Sequence, residues 1–174
     1  MIEEDTEEVI AVKYYAGIGS RSTPKEILEM MTKIAEGLSR NYILRSGGAD
    51  GADSAFEKGA GDKKISYIPW TGFNGSKEKC IPVTSAAMRM AGEFHPGWMY
   101  LSYTVKKLHA RNCYQILGED LNTPSHFVVC WTPGGEEVGG TAQAIRIAKA
   151  NGIKIFNLAN EEDFNFWNEK LCQH

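Results

Sequence analysis

Phe127-Val128-Val129-Cys130-Trp131-Thr132-Pro133-Gly134-Gly135-Glu136-Glu137-Val138-Gly139-Gly140-Thr141 is the stretch from which the fold can be read. Its first five residues form an unbroken apolar run, as expected of a strand buried on both faces, and turn formers stop it. Thr141 to Asn151 then read as a helix that ends at Gly152, a residue suited to a C-cap. Strand, glycine-rich loop and helix together make the repeating unit of a parallel α/β protein.

The same unit occurs twice upstream. Val12 to Ala16 read as a strand that runs into Gly17-Ile18-Gly19-Ser20-Arg21. Thr23, Pro24 and Glu26 then look like a capped helix start, with Thr23 as cap and Glu26 completing a capping box. Ile27, Met31, Ile34 and Leu38 follow at helical spacing and predict one buried face. Tyr42 to Leu44 form a second short strand, which runs into Ser46-Gly47-Gly48-Ala49-Asp50-Gly51-Ala52-Asp53 and a helix over Ala52 to Ala60. Further strands are expected at Ile65 to Ile68 and at Ile153 to Leu158. Further helices are expected at Thr84 to Phe94, Tyr100 to Leu117 and Glu161 to Leu171, the last carrying Phe164, Trp167 and Leu171 on one side. The irregular stretch from Trp70 to Pro82 is long enough to suggest a functional or lid element. Alternating strands and helices imply right-handed crossovers and a mainly parallel sheet covered on both faces, a doubly wound Rossmann-like domain.

The composition sets bounds on function. The chain has 174 residues, 43% hydrophobic and 24% charged, which suits one soluble globular domain. Residues 1–10 read as a flexible acidic lead-in and 11–174 as a single domain. A formal net charge of −3 disfavours broad binding to nucleic acid but leaves room for a local basic pocket. The acidic start (Glu3, Glu4, Asp5, Glu7, Glu8) is the opposite of a secretory leader, and no apolar run is long enough to span a membrane. A cytosolic protein with no membrane partner is expected. Cys80, Cys113, Cys130 and Cys172 are scattered, without Cys-x-x-Cys or a histidine at ligand spacing, so no metal, cofactor or disulfide is expected. Cys130 reads as a small core residue.

The three loops carry the chemistry. Ligands of open parallel sheets bind beyond the carboxyl ends of the strands, where all three loops lie. Gly17, Gly19, Ser20 and Arg21 offer backbone N–H groups, a hydroxyl and a guanidinium that can pair with a phosphate. Gly139, Gly140 and Thr141 open a helix directly and read as the best phosphate cradle, with Pro133, Gly134 and Gly135 beside them. Ser46, Gly47 and Gly48 form the third wall. Asp50 and Asp53 would repel a phosphate, so that loop is expected to meet a sugar hydroxyl or a base edge. Both acids also suit a helix N-terminus with no ligand at all. On the helix before the strongest strand, His109, Asn112 and Gln115 recur at helical spacing, as either a solvated face or the wall of a cleft. His95 reads as a packing residue. A dehydrogenase fingerprint is absent, since the first loop lacks its third glycine and no acid closes the second strand.

Together these residues resemble the SLOG superfamily, the Rossmann-like group that includes the lonely-guy phosphoribohydrolases and the DprA proteins. The similarity runs from about Tyr14 to Leu158. Ser46-Gly47-Gly48 through Ile68-Pro69, Leu108-His109-Ala110-Arg111-Asn112, and Pro133-Gly134-Gly135 with Gly139-Gly140-Thr141 look like the lonely-guy motifs in order. The opening Gly-x-Gly-Ser-Arg and the Ser-Gly-Gly-Ala-Asp-Gly-Ala-Asp run look more like the DprA side. The lonely-guy resemblance implies hydrolysis of a nucleoside 5′-monophosphate at the base–sugar bond, with Arg111 near the phosphate. Asp53 or Glu137 would then stabilise the sugar cation, as carboxylates do in glycoside chemistry. The family's glutamates fall here on Gln143 and Ala144, and neutral Gln143 cannot act as a base. The alternatives are a non-catalytic nucleotide sensor or sequestering module, and a DprA-like single-stranded DNA-binding module. The resemblance also implies a homodimer or higher homo-oligomer, with Trp70, Phe73, Trp98 and Tyr100 as exposed aromatics for a partner or a lid.

Overall fold

A computed structural model describes residues 11–173. The acidic lead-in expected over residues 1–10 lies outside the described residues. Five parallel strands form one sheet: β1 (Tyr14–Gly17), β2 (Ile43–Ser46), β3 (Lys64–Ser66), β4 (Phe127–Cys130) and β5 (Lys154–Asn157), in the order β3-β2-β1-β4-β5. Among the described residues six helices connect and flank them: α1 (Lys25–Leu38), α2 (Ala52–Ala60), α3 (Ser85–Glu93), α4 (Tyr103–Leu117), α5 (Gly139–Ala150) and α6 (Glu161–Cys172). This is the doubly wound Rossmann-like architecture read from the sequence.

The period of two along each strand builds a core on both faces of the sheet. Tyr15, Leu44 and Val129 point towards α1, α2 and α6, while Ala16, Val128 and Cys130 point towards α3, α4 and α5. The stripe predicted on α1 is real: Met31 and Ile34 are buried, with Ile27 and Leu38 packed against the same core. Trp167 of α6 is buried there too, with Phe164 and Leu171 beside it. α1 and α2 approach closely because α2 carries Gly59, where a Cβ would lie 2.0 Å from the Thr32 carbonyl.

The starts of three helices, and the burial of several aromatics, differ from the sequence reading. Thr23 does not cap α1. It is buried, and its hydroxyl donates back to the Ser20 carbonyl at 2.5 Å, so Pro24 takes the cap position. Thr23 thereby ties the first glycine loop to the helix that follows. α4 begins at Tyr103 because the Ser102 hydroxyl accepts from the Val105 N–H at 3.3 Å, and Trp98–Tyr100 form a separate 3-10 turn. α5 begins at Gly139, two residues earlier than expected. Of the aromatics expected on the surface, only Tyr100 is exposed. Phe73 is buried, Trp70 is half-buried, and Trp98 is half-buried against Gly92.

The sheet order places a switch point between β1 and β4. From β1 the chain winds outward to β2 and β3, and from β4 outward to β5. The connections leaving β1 and β4 therefore diverge to opposite faces and leave a crevice between them.

Candidate functional site

A cleft of about 480 Å³ occupies that crevice. Ile18, Gly19, Ser20 and Arg21 line it from the loop after β1, Ala49 and Asp50 from the loop after β2, and Asp53 from the first turn of α2. Val138, Gly139, Gly140, Thr141 and Ala144 come from the start of α5, and Val105, Leu108, His109, Arg111, Asn112 and Gln115 from α4. Phe73, in the long irregular connection, closes one side. Asn74 beside it has a φ of 50° and donates to the Gly48 carbonyl at 3.1 Å, which fastens this excursion to the second loop. The polar stripe on α4 is thus a cleft wall and not a solvated face.

The glycines of the loops have different surroundings. At Gly17 a Cβ would sit 2.6 Å from the Phe56 ring, and at Gly19 it would sit 2.6 Å from the Ala52 side chain. The Gly-x-Gly of the first loop therefore lets β1 pack on α2, while Ser20 and Arg21 face the cleft. At Gly47 a Cβ would lie 2.0 Å from Arg111 Nη1. Gly48 has a φ of 68° and rests on Ile68. Ser46 is buried, and neither it nor Gly47 or Gly48 lines the cleft. At Gly139 and Gly140 nothing lies within 4 Å of a would-be Cβ. That space is open to a ligand, at the N-terminus of a 12-residue helix whose first N–H groups have no intrahelical partner.

The expected third cradle divides in two. Pro133, Gly134 and Gly135 form a 3-10 turn outside the cleft, with Gly135 held against Asn160, whose Oδ1 would be 2.3 Å from a Cβ there. Glu137 also lies outside the cleft lining and pairs with Lys149. Only Gly139, Gly140 and Thr141 reach the cavity.

Two buried charges face each other behind the second loop. Arg111 donates to the Gly47 carbonyl, and Asp53 accepts from the Ala49 N–H at 3.1 Å. Burial pushes the Asp53 carboxyl up to about 6, opposed by the Arg111 guanidinium and the Ala49 N–H and reinforced by Glu57. Burial lowers the Arg111 pKa; Asp53 and Glu57 oppose this, and Arg21 adds to it. Arg21 itself is exposed and has no carboxylate within ion-pair distance among the described residues. Gln115 on the same lining is 1% exposed, and its amide nitrogen has no partner. Unused donors thus gather in the cleft, across from the Asp50 and Asp53 carboxylates of its second wall.

Two residues named in the sequence analysis support the α4 wall of the cleft through partners on other elements. Gln143 is fully buried behind the cleft and accepts from His109 and Asn112. Its helical spacing from Gly139 was visible, but its partners lie on another helix. His95 packs its ring 4.6 Å from that of His109. Among the described residues no group of three metal-ligating side chains exists, and no helix is long and apolar enough to cross a membrane.

The fold has solved counterparts. The chain resembles a DNA processing protein A from Helicobacter pylori, described as having a single-stranded DNA binding mode, with a TM-score of 0.55 and 16% identity over 94% of this chain and 81% of that one. The likeness is one of fold. The protein of that name from Streptococcus pneumoniae is also similar, with a TM-score of 0.49 and 19% identity over 84% of this chain and 50% of that one. No protein-family model and no curated protein matches the sequence.

Proposed function

We propose that this chain binds a nucleotide through its phosphate in the switch-point cleft, and that it belongs to the DprA-like side of the SLOG superfamily. The observation that carries the reading is the empty space above Gly139 and Gly140 at the start of α5, with Ser20, Arg21 and Arg111 lining the same cavity. Helix N–H groups and guanidinium groups are the donors that phosphate oxygens need. A volume of about 480 Å³ is in the range of a small-molecule site.

Binding without hydrolysis is the better-supported form of this reading. The two carboxylates expected to act on the sugar both have partners within the protein: Asp53, on the cleft wall, with the Ala49 N–H beside Arg111, and Glu137 with Lys149 outside the cleft. Calorimetry with a panel of nucleoside 5′-monophosphates tests the reading, with the reaction mixture examined for free base. Binding that weakens in Arg21→Ala, with no base released, is the expected result. No heat with any nucleotide at millimolar concentration would end it.

The likeness to the Helicobacter pylori fold favours a second reading, in which the phosphate belongs to single-stranded DNA. Salt dependence separates the two. A strand gives a log–log slope of about −0.7 for each phosphate contacted, whereas a mononucleotide, without a condensed counterion atmosphere, gives a shallow one.

A further inference from the structure

Gln143 fixes the polarity of the cleft wall. Its Nε2 donates to the Ala91 carbonyl at 3.1 Å, and a carbonyl can only accept. The amide oxygen must therefore face α4, where it lies 3.1 Å from His109 Nδ1 and 3.4 Å from Asn112 Nδ2. An amide oxygen can only accept, so both of those nitrogens carry the hydrogen. Asn112 Nδ2 also lies 3.4 Å from the Gly140 carbonyl, a second obligate acceptor, which requires the same orientation independently.

Two edges remain, and both are acceptors. With its proton on Nδ1, neutral His109 has a lone pair on Nε2, which has no hydrogen-bond partner among the described residues. Asn112 is left with Oδ1, likewise without a partner. His109 is 8% exposed, and what remains exposed belongs to a side chain that lines the cleft. The adjacent His95 packs against the His109 ring without a hydrogen bond to it, and its Nδ1 accepts from the Gly97 N–H at 3.1 Å. Burial lowers the His109 pKa, with His95, Arg111 and Arg146 adding to this and the Gln143 bond opposing it, so the ring stays neutral near pH 7.

A phosphate has only acceptors to offer this pair, so His109 and Asn112 do not hold it. We infer that His109 Nε2 and Asn112 Oδ1 accept hydrogen bonds from sugar hydroxyls of a ribonucleotide whose phosphate sits at Gly139 and Gly140, with Gln143 as the residue that positions both acceptors. Asn112 touches Gly140 through its other edge, so the hydroxyl site and the phosphate site are adjacent. A ribonucleotide presents anion and donors together, whereas a strand of DNA lacks the 2′-hydroxyl. The inference rests on the nucleotide reading of the cleft and adds the sugar.

Two measurements on the full chain test it. Long-range proton–nitrogen NMR on the free, nitrogen-15-labelled protein at pH 7.5 reads the ring tautomer of His109, assigned by its absence from His109→Asn. The expected result is a proton on Nδ1, with a mixture of tautomers in Gln143→Met. Calorimetry then compares AMP with its 2′-deoxy and 3′-deoxy forms. At least one deoxy form should bind about tenfold more weakly, as loss of a hydroxyl from a site built for it predicts, and Asn112→Ala should narrow the gap. A proton on Nε2 overturns the inference whatever binds. Equal affinity for AMP and both deoxy forms overturns the sugar assignment and leaves the nucleotide reading standing. Failure of every nucleotide to bind, with the Nδ1 tautomer in place, overturns the nucleotide reading and the sugar assignment with it.

Discussion

The loop after β2 and the start of α5 are both rich in glycine, and they use it in opposite ways. At Gly47 the space a side chain would fill is already taken by the Arg111 guanidinium. At Gly140 it is empty. The first glycine permits an internal contact between a buried cation and a backbone carbonyl. The second leaves unpaired helix N–H groups reachable from the cleft. Glycine in a loop is thus evidence of a close approach, and only the neighbour shows whether the approaching group is the protein or a ligand.

The largest effect expected from this contrast is at Gly47. Gly47→Ala should destabilise the fold by about 3–4 kcal/mol, because the new methyl overpacks the site and displaces a buried charge; urea unfolding measures it. A loss as small as that of an ordinary surface change would show that Arg111 can move aside. Next is the pH response of the same filled loop. The Asp53 carboxyl titrates at about 6 in the fold against its ordinary 3.8, so the native state holds a proton that the unfolded chain has released. Stability should fall by about 2–3 kcal/mol as pH rises from about 4 to about 6, and this component should then stay flat. Asp53→Asn should remove that slope, which thermal melts at a series of pH values can follow.

The open glycine should behave otherwise. Gly140 sits in a helix with room around it, so Gly140→Ala should leave stability unchanged or raise it by about 0.5 kcal/mol. The same change should weaken nucleoside monophosphate binding about tenfold, worth about 1.4 kcal/mol, because the methyl intrudes on the phosphate position. If Gly140→Ala melted early, the space above it would not be free and the contrast with Gly47 would collapse. The smallest effect is at Glu137. Glu137→Gln breaks an exposed pair with Lys149 and should cost less than about 0.5 kcal/mol, with no change in binding. A marked loss of binding there would bring Glu137 back into the site.

Much of this was legible in the sequence where local patterning carried it. The continuous apolar run from Phe127 to Cys130 follows from burial on both faces of a parallel sheet, and the stripe of Met31 and Ile34 from the 3.6 period against a core. Boundaries were less legible, because capping depends on which hydroxyl finds which N–H. Thr23 turns towards Ser20, and Ser102 caps α4 instead of letting it begin at Tyr100. Pro133, Gly134 and Gly135 read as part of the cradle because proximity in sequence suggested proximity in space. Their turn faces Asn160, which lies beyond the next strand.

The sequence by itself determined the strand–loop–helix rhythm, and with it the parallel sheet and the edge at which a ligand would bind, since these depend on local periodicity and turn chemistry. Only the tertiary structure decided which glycines are spent on packing and which stay open, because that depends on side chains such as Phe56 and Arg111 arriving from other elements. It also decided the role of Gln143. In sequence this is a neutral residue where the resemblance implies a glutamate. In the fold its amide has a carbonyl on one side and His109 and Asn112 on the other, and that arrangement of donors and acceptors sets which edge of α4 the cleft presents.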